Sequence, residues 1–314
     1  MEEKYIHKSV LLEEAVEFLN IKKDGIYVDA TTGGAGHSSL ILKQLTSGKL
    51  YCFDQDDYAL QRAKARLSKI SNNFKLIKGN FKDLKMLLMK EGIKKIDGII
   101  YDLGVSSFQF DIPDRGFSYN YDAKLDMRMD QSSELTAEHI VNDYSFNDIC
   151  YILRRYSDEA DAKYIARAIE KAREVKRITT TFELVDVIKS GLTSKRLSKK
   201  GHPAKKTFQA LRIAVNDELR VFEDSINQAL DMMNFGGRAV VITFHSLEDR
   251  ICKNVFKERS TLNIPIGLPI IVDEVAPFKL ITRKPITASE NELLENNRAH
   301  SAKLRVIERT FNTK

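Results

Sequence analysis

The sequence lacks most of the features that would set it apart from ordinary globular proteins. Proline is scarce, at 6 of 314 residues, and glycine stands at 15. With 43% hydrophobic and 30% charged residues, this excludes collagen-like, low-complexity and wholly disordered classes. No run approaches the ~18 apolar residues that span a bilayer. The opening Met1-Glu2-Glu3-Lys4-Tyr5 lacks the apolar core of a secretion signal. The cysteines number only three, Cys52, Cys150 and Cys252, too widely spaced for a disulfide framework or a zinc pattern. A reducing, cytoplasmic setting is expected. Neither sign of charge dominates, and the net charge of +6 permits a nucleic-acid partner without requiring one. The length suits one large domain or two smaller ones, at roughly 100–200 residues each.

What is present is unevenly placed. Residues 170–206 hold eleven basic and four acidic residues, a local excess of +7 against a whole-chain +6. From Lys195 to Arg212 there are seven basic residues and no acid. Such clustering suits a phosphate backbone, and it equally suits a solvated helical face beside a lysine-rich loop. Lys195, Arg196, Lys199 and Lys200 are the candidate phosphate contacts.

Up to residue 105, helical and strand-like patterns alternate. Residues 8–20 have helical spacing with Ser9 as a candidate cap, and 25–31 read as a buried strand. Further helices are expected over 37–46, 57–69 and 82–91, and further strands over 49–54, 74–78 and 96–102. This rhythm with short connections predicts a parallel, doubly wound sheet. Residues 106–206 offer no strand. An irregular stretch, 108–133, precedes helical patterns at 136–142, 145–156, 158–175 and 181–190. After a helix at 207–233, strands return at 237–244 and 302–309, while the prolines within 259–301 imply loops and short strands. The expected architecture is α/β, with residues 1–105 and 207–314 forming the core and 106–206 an inserted helical domain.

The turn after the first strand, Val28-Asp-Ala-Thr-Thr-Gly-Gly-Ala-Gly-His37, is a glycine-rich loop opening a helix. Its match to the dinucleotide fingerprint is loose, because Ser39 takes the third glycine position. Asp29, ahead of the glycines, would repel a pyrophosphate and suits a cationic ligand such as the amino and sulfonium groups of S-adenosylmethionine. Asp54 ends the second strand, at a spacing that serves ribose hydroxyls. Phe81 follows the third strand and Asp102 ends the fourth. All four fall at the carboxyl edge of the expected sheet, where ligands of such folds bind.

Those stretches resemble a known family when read with His7-Lys-Ser-Val-Leu-Leu-Glu-Glu14, Asp97-Gly-Ile-Ile-Tyr-Asp-Leu-Gly-Val-Ser-Ser107 and Arg115-Gly-Phe-Ser118. Leu125-Asp-Met-Arg-Met-Asp130, Phe208-Gln-Ala-Leu-Arg-Ile213, Phe244-His-Ser-Leu-Glu-Asp-Arg250 and Ser301-Ala-Lys-Leu-Arg-Val306 continue the likeness. Their order and spacing resemble the bacterial 16S ribosomal RNA cytosine-N4 methyltransferases (RsmH, or MraW) from about residue 5 to 310. The resemblance implies a Rossmann-like, S-adenosylmethionine-dependent methyltransferase with an inserted helical domain. It implies methylation of N4 of a cytosine in 16S rRNA at the decoding centre. It also implies cofactor contacts at Ala35, Gly36, His37, Asp54, Phe81, Asp102 and Gln109. Many base amino-methyltransferases carry Asp/Asn-Pro-Pro-Tyr/Phe after the fourth strand. Here Asp102-Leu-Gly-Val105 stands instead, as in the family.

The chemistry needs an acceptor for the amine hydrogens, and the candidates are Asp102, the Ser106 and Ser107 backbone, and His245. The acid-rich segment 111–134 matches no calcium loop. It reads as a loop held by Arg–carboxylate pairs over the cofactor, with Gln109 closing the pocket and no metal. Tyr119 and Tyr121 are candidates to stack on a base or to pack. An assembled 30S subunit is the expected substrate form, and a homodimer is left open. The competing classes are an NAD-linked oxidoreductase, a noncatalytic RNA-binding or ribosome-assembly protein, and a methyltransferase acting on DNA or protein.

Overall fold

A computed structural model of the chain describes residues 9–105, 109–110, 112–262 and 275–310. His7, Lys8, Ser106, Ser107, Phe108 and Asp111 lie outside the described residues, as do Pro265 and Pro269. The chain divides into two compact units, Met1–Gly104 with Leu219–Lys314, and Val105–Glu218.

Helices α1 (Leu12–Leu19), α2 (Gly36–Gln44), α3 (Asp57–Leu67) and α4 (Leu84–Lys90) precede the second unit. That unit holds α5 (Ala137–Asp143), α6 (Phe146–Ser157), α7 (Ala162–Val175), α8 (Thr181–Ser190), α9 (Ser194–Leu197) and α10 (Lys205–Asn216). Helices α11 (Glu218–Met232), α12 (Ser246–Arg259) and α13 (Glu290–Glu295) follow.

The strands of the first unit are β1 (Ile26–Asp29), β2 (Lys49–Asp54), β3 (Phe74–Lys78), β4 (Ile96–Asp102), β5 (Met233–Thr243), β6 (Phe278–Leu280) and β7 (Lys303–Arg309). They form one sheet in the order β3-β2-β1-β4-β5-β7-β6. The first five are parallel, and β7 returns antiparallel to β5 and β6. This is the doubly wound, Rossmann-like sheet expected, with five parallel strands. Side chains alternate across it with period two. Ile99, Tyr101, Ala239 and Val241 join Phe222, Ile226 and Phe256 in one core. Ile100, Val240 and Ile242 join Leu19, Ile41 and Leu67 in the other. Helices α4, α11 and α12 therefore cover one face and α1, α2 and α3 the other, so the central strands read as continuous apolar runs.

The second unit is a helical cluster with its own core, including Ile140, Ile149, Leu153, Ile165, Ile169, Leu184 and Leu211. The acid-rich segment before α5 is held by arginines. Arg128 forks onto Asp126 at 2.7 and 2.8 Å. Burial alone would raise the Asp126 carboxyl, but the hydrogen bonds and charge of Arg128 outweigh it and hold the group below its usual range. Buried Arg115 donates to the carbonyls of Arg128 and Met129 at 3.0 and 3.1 Å.

Several boundaries differ from the sequence reading. The helix expected over 207–233 is two, α10 and α11, because Asp217 turns left-handed at φ 48° between them. The second unit accordingly runs to Glu218 rather than ending at 206. β5 begins at Met233 instead of 237, with a register shift between its pairing to Ile96 and to Gly98. Helix α13 lies in a stretch expected to be loops and short strands. α1 starts at Leu12 behind a left-handed Leu11, so Ser9 does not cap it. No helix among the described residues is long and apolar enough to cross a membrane.

Gly116 is the tightest point of the second unit's loop. Its φ is +70°, and a Cβ there would lie 2.3 Å from the Lys124 carbonyl oxygen. Left-handed backbone costs an L-residue about 1–2 kcal/mol before any clash. Gly116→Ala is expected to lower unfolding stability by at least about 1 kcal/mol, read from the denaturant midpoint at constant slope. An unchanged midpoint would contradict the assigned geometry.

Candidate active site

Strands β1 to β5 deliver their carboxyl ends to one edge of the sheet, and acids stand at three of those ends, Asp29, Asp54 and Asp102. The loop from Ala30 to Ala35 is clamped onto that edge. Thr32 N–H donates to the Phe53 carbonyl at 3.0 Å and Ala35 N–H to the Thr32 carbonyl at 2.7 Å. Arg66 Nη1 donates to the Gly34 carbonyl at 2.9 Å. Ala35 sits left-handed at φ 57° just before α2. Gly36 is dictated by the chain itself, since a Cβ would lie 1.9 Å from Ser9 Oγ.

The carboxylates differ in their duties. Asp29 is buried and accepts from Ser38 Oγ at 2.6 Å and from Thr31 N–H at 3.1 Å. It ties β1 to the first turn of α2 rather than facing a ligand with a free oxygen. Asp54 accepts from Gly33 N–H and Asp56 N–H, both at 2.9 Å, and so shapes the glycine turn. Burial pushes both groups up to about 6, against the pull of those hydrogen bonds.

Asp102 is the outlier. Its backbone N–H donates to Thr31 Oγ1 at 2.7 Å, joining the ends of β1 and β4. Its Oδ2 lies 3.7 Å from His37 Nδ1. Its Oδ1 is buried with no hydrogen-bond partner among the described residues. Burial, with the charges of Asp29 and Glu248 added, pushes it up to about 8 from the usual 3.8. His37 Nε2 donates to the Val10 carbonyl at 3.2 Å, which places a ring proton on Nε2, and Nδ1 faces Asp102. One buried and two partly buried carboxyls, with one oxygen unpaired among the described residues, fit a cationic ligand and oppose a pyrophosphate.

The sequence matches the MraW methylase family over residues 4–310. The chain belongs to the MraW methylase family. Membership makes it a methylase with S-adenosylmethionine as methyl donor, and the NAD-linked alternative falls. It is 57% identical to the ribosomal RNA small subunit methyltransferase H of Exiguobacterium sibiricum, over 96% of this chain and 98% of that protein. Among solved structures, it is similar to an rRNA methylase from Streptococcus thermophilus, with 15% identity, 99% of both chains covered and a TM-score of 0.43. A methyltransferase from Streptococcus mutans in complex with SAH is similar at 14% identity, covering 97% of this chain and 99% of that one, with a TM-score of 0.44.

In this MraW methylase, Ala35, Gly36, His37, Asp54 and Asp102 gather around the first glycine loop. Phe81 stands at the next strand end, half-buried and edge-on to Tyr101 at 5.8 Å. Gln109 is buried within the second unit. His245 caps α12. Its Nδ1 accepts from Glu248 N–H at 3.4 Å, while Glu248 Oε2 accepts from Phe244 N–H at 2.8 Å and His245 N–H at 3.3 Å. With Nδ1 accepting, Nε2 carries the proton, so this tautomer offers the site no free acceptor. Sequence reading missed Thr31, Ser38 and Glu248. The last has the spacing of a capping box, hidden because His245 stands where Ser or Thr is usual.

Folded Asp102 holds a proton between about pH 4 and pH 8 that the unfolded chain has already released. Its contribution is fully present below pH 4 and is lost as pH rises through that window. Asp102→Asn has no such proton. The melting temperature of ligand-free Asp102→Asn is therefore expected to gain on that of the unsubstituted protein from pH 4 to pH 8, then stay level. Parallel melting curves across that range would contradict this.

Proposed function

We propose that this methylase transfers a methyl group from S-adenosylmethionine to N4 of a cytosine in 16S rRNA, at the decoding centre of the small subunit. The observation that supports the reading most is the near end-to-end match to a ribosomal RNA small subunit methyltransferase. The N4 position and the decoding centre rest on the family resemblance. An assembled 30S subunit in the cytoplasm is the substrate form this favours.

Ala35, Gly36, His37, Asp54, Phe81 and Asp102 are the groups of the first unit that would hold the donor, and Gln109 is the candidate from the second. When bound, the donor supplies an activated methyl group. A cytosine amine is a weak nucleophile because its lone pair is delocalised into the ring, so alignment supplies much of the acceleration. Asp102 Oδ1 is the candidate to accept an amine hydrogen as positive charge develops on nitrogen. The ionised carboxyl is the stronger acceptor and the form that offsets the developing charge. A group near 8 is mostly protonated at neutral pH, and it ionises when a positive charge lies beside it. Occupancy of the cofactor site would thus ready Asp102.

RNA recognition is assigned to the second unit. Lys195, Lys199, Lys200 and Lys205 are exposed and form no ion pair among the described residues. Arg196 leaves the candidate set, because its Nε donates to Asp161 Oδ2 at 3.0 Å. Tyr119 stacks on His202 with ring centroids 4.3 Å apart, so that face is already used. Tyr121 is exposed.

The test offers 30S subunits, naked 16S rRNA and DNA to the protein with labelled donor, and maps the product base by mass spectrometry. N4-methylcytosine in 16S rRNA from 30S subunits is expected. Label in DNA alone, or nowhere, would overturn the reading. Asp102→Ala is expected to abolish transfer with the circular dichroism spectrum intact, and near-normal turnover would remove Asp102 from the mechanism.

A further inference from the structure

Counting along the chain puts the positive excess at 170–206 and leaves the remainder near neutral. The second unit gathers charge differently. Arg196 is bonded to Asp161, and Lys206 Nζ donates to the Asp158 carbonyl at 2.9 Å. Gly191 lies so close to α7 that a Cβ would sit 2.9 Å from Ala168 Cβ and 3.0 Å from the Tyr164 carbonyl oxygen. These contacts pin the lysine-rich segment against the turn between α6 and α7.

That turn has basic residues of its own. Arg154 and Arg155 end α6, and Lys163 begins α7. All three are exposed, and none is ion-paired among the described residues. Cys150 Sγ donates to the Ala162 carbonyl at 3.8 Å, so the turn of α6 before Arg154 lies against the start of α7 beside Lys163. Residues 154–163 and 195–206 together hold nine basic residues against three acids. Two of those acids, Glu159 and Asp161, already face Arg196 at 3.8 and 3.0 Å. Tyr151, one helical turn before Arg154 and Arg155, is 61% exposed, and Tyr164, beside Lys163, is 68% exposed.

We propose that the α6–α7 turn and the pinned lysine segment form one composite surface for single-stranded RNA. Arg154, Arg155 and Lys163 join Lys195, Lys199, Lys200 and Lys205 on the phosphates, and Tyr151 and Tyr164 stack on bases. Interleaved cations and exposed rings are what a strand without fixed sequence requires. This deepens the rRNA-methylase reading and rests on it.

The test measures the affinity of the full chain for naked 16S rRNA and for 30S subunits across a salt series. The charge variant R154Q/R155Q/K163Q is expected to bind both more weakly, with the logarithmic salt slope smaller by about 2, at about 0.7 per phosphate contact. Tyr151→Ala and Tyr164→Ala are expected to weaken binding about tenfold each with the slope unchanged. The charge-keeping R154K/R155K/K163R should retain the slope, which separates lost charge from lost folding. Unaltered affinity and slope in the Gln variant, while the unsubstituted protein binds and methylates rRNA, would overturn this surface alone. A loss confined to 30S subunits would mean a ribosomal-protein partner and would also overturn it. If the unsubstituted protein neither binds nor methylates rRNA, the functional reading falls and takes the surface with it.

Discussion

Asp102 ends its strand with one carboxyl oxygen buried and unpaired among the described residues, while burial, Asp29 and Glu248 oppose its ionisation. Burying an unpartnered charge is costly, so the group keeps its proton instead. The surroundings leave it no simple escape. Thr31 holds its backbone, His37 Nδ1 stands 3.7 Å away, and Asp29 is committed to Ser38. A positive charge entering this edge of the sheet relieves the conflict, and a sulfonium donor brings one. The site's fit to a cationic cofactor and the acceptor role proposed for Asp102 therefore share one electrostatic cause.

The fold makes that placement unavoidable. Parallel strands bring their carboxyl ends to a common edge, and the turn after β1 must pass over it. The left-handed Ala35, the Gly36–Ser9 contact and the Asp54–Gly33 bond hold that turn in one shape. The second unit carries different chemistry. Its arginines are largely structural, as Arg115, Arg128 and Arg196 show, whereas Lys195, Lys199, Lys200 and Lys205 are exposed and form no ion pair among the described residues. The proposed division between a cofactor unit and an RNA unit rests on where the paired and unpaired charges lie.

Much of this was legible in the residues. Alternation of helical and strand patterns locates β1 to β4 and puts Asp54 and Asp102 at strand ends. What escaped was set by local backbone geometry or by distant contacts. Nothing in the pattern over 207–233 marks Asp217 as a left-handed break. Ser9 looks like a helix cap yet packs on Gly36. His245 looked chemical because a lone histidine followed a strand, and its role in capping α12 emerged only with the Glu248 hydrogen bonds. Arg154 and Lys163 look unremarkable along the chain, because their proximity depends on how α6 and α7 pack.

Proton counting on cofactor binding addresses the central claim most directly. Calorimetry at pH 7, in buffers of different ionisation enthalpy, gives the protons exchanged when S-adenosylmethionine binds. The account predicts that the unsubstituted protein releases about one proton more than Asp102→Asn, since a carboxyl near 8 is mostly protonated there and ionises beside a cation. Equal proton counts for the two proteins would contradict it.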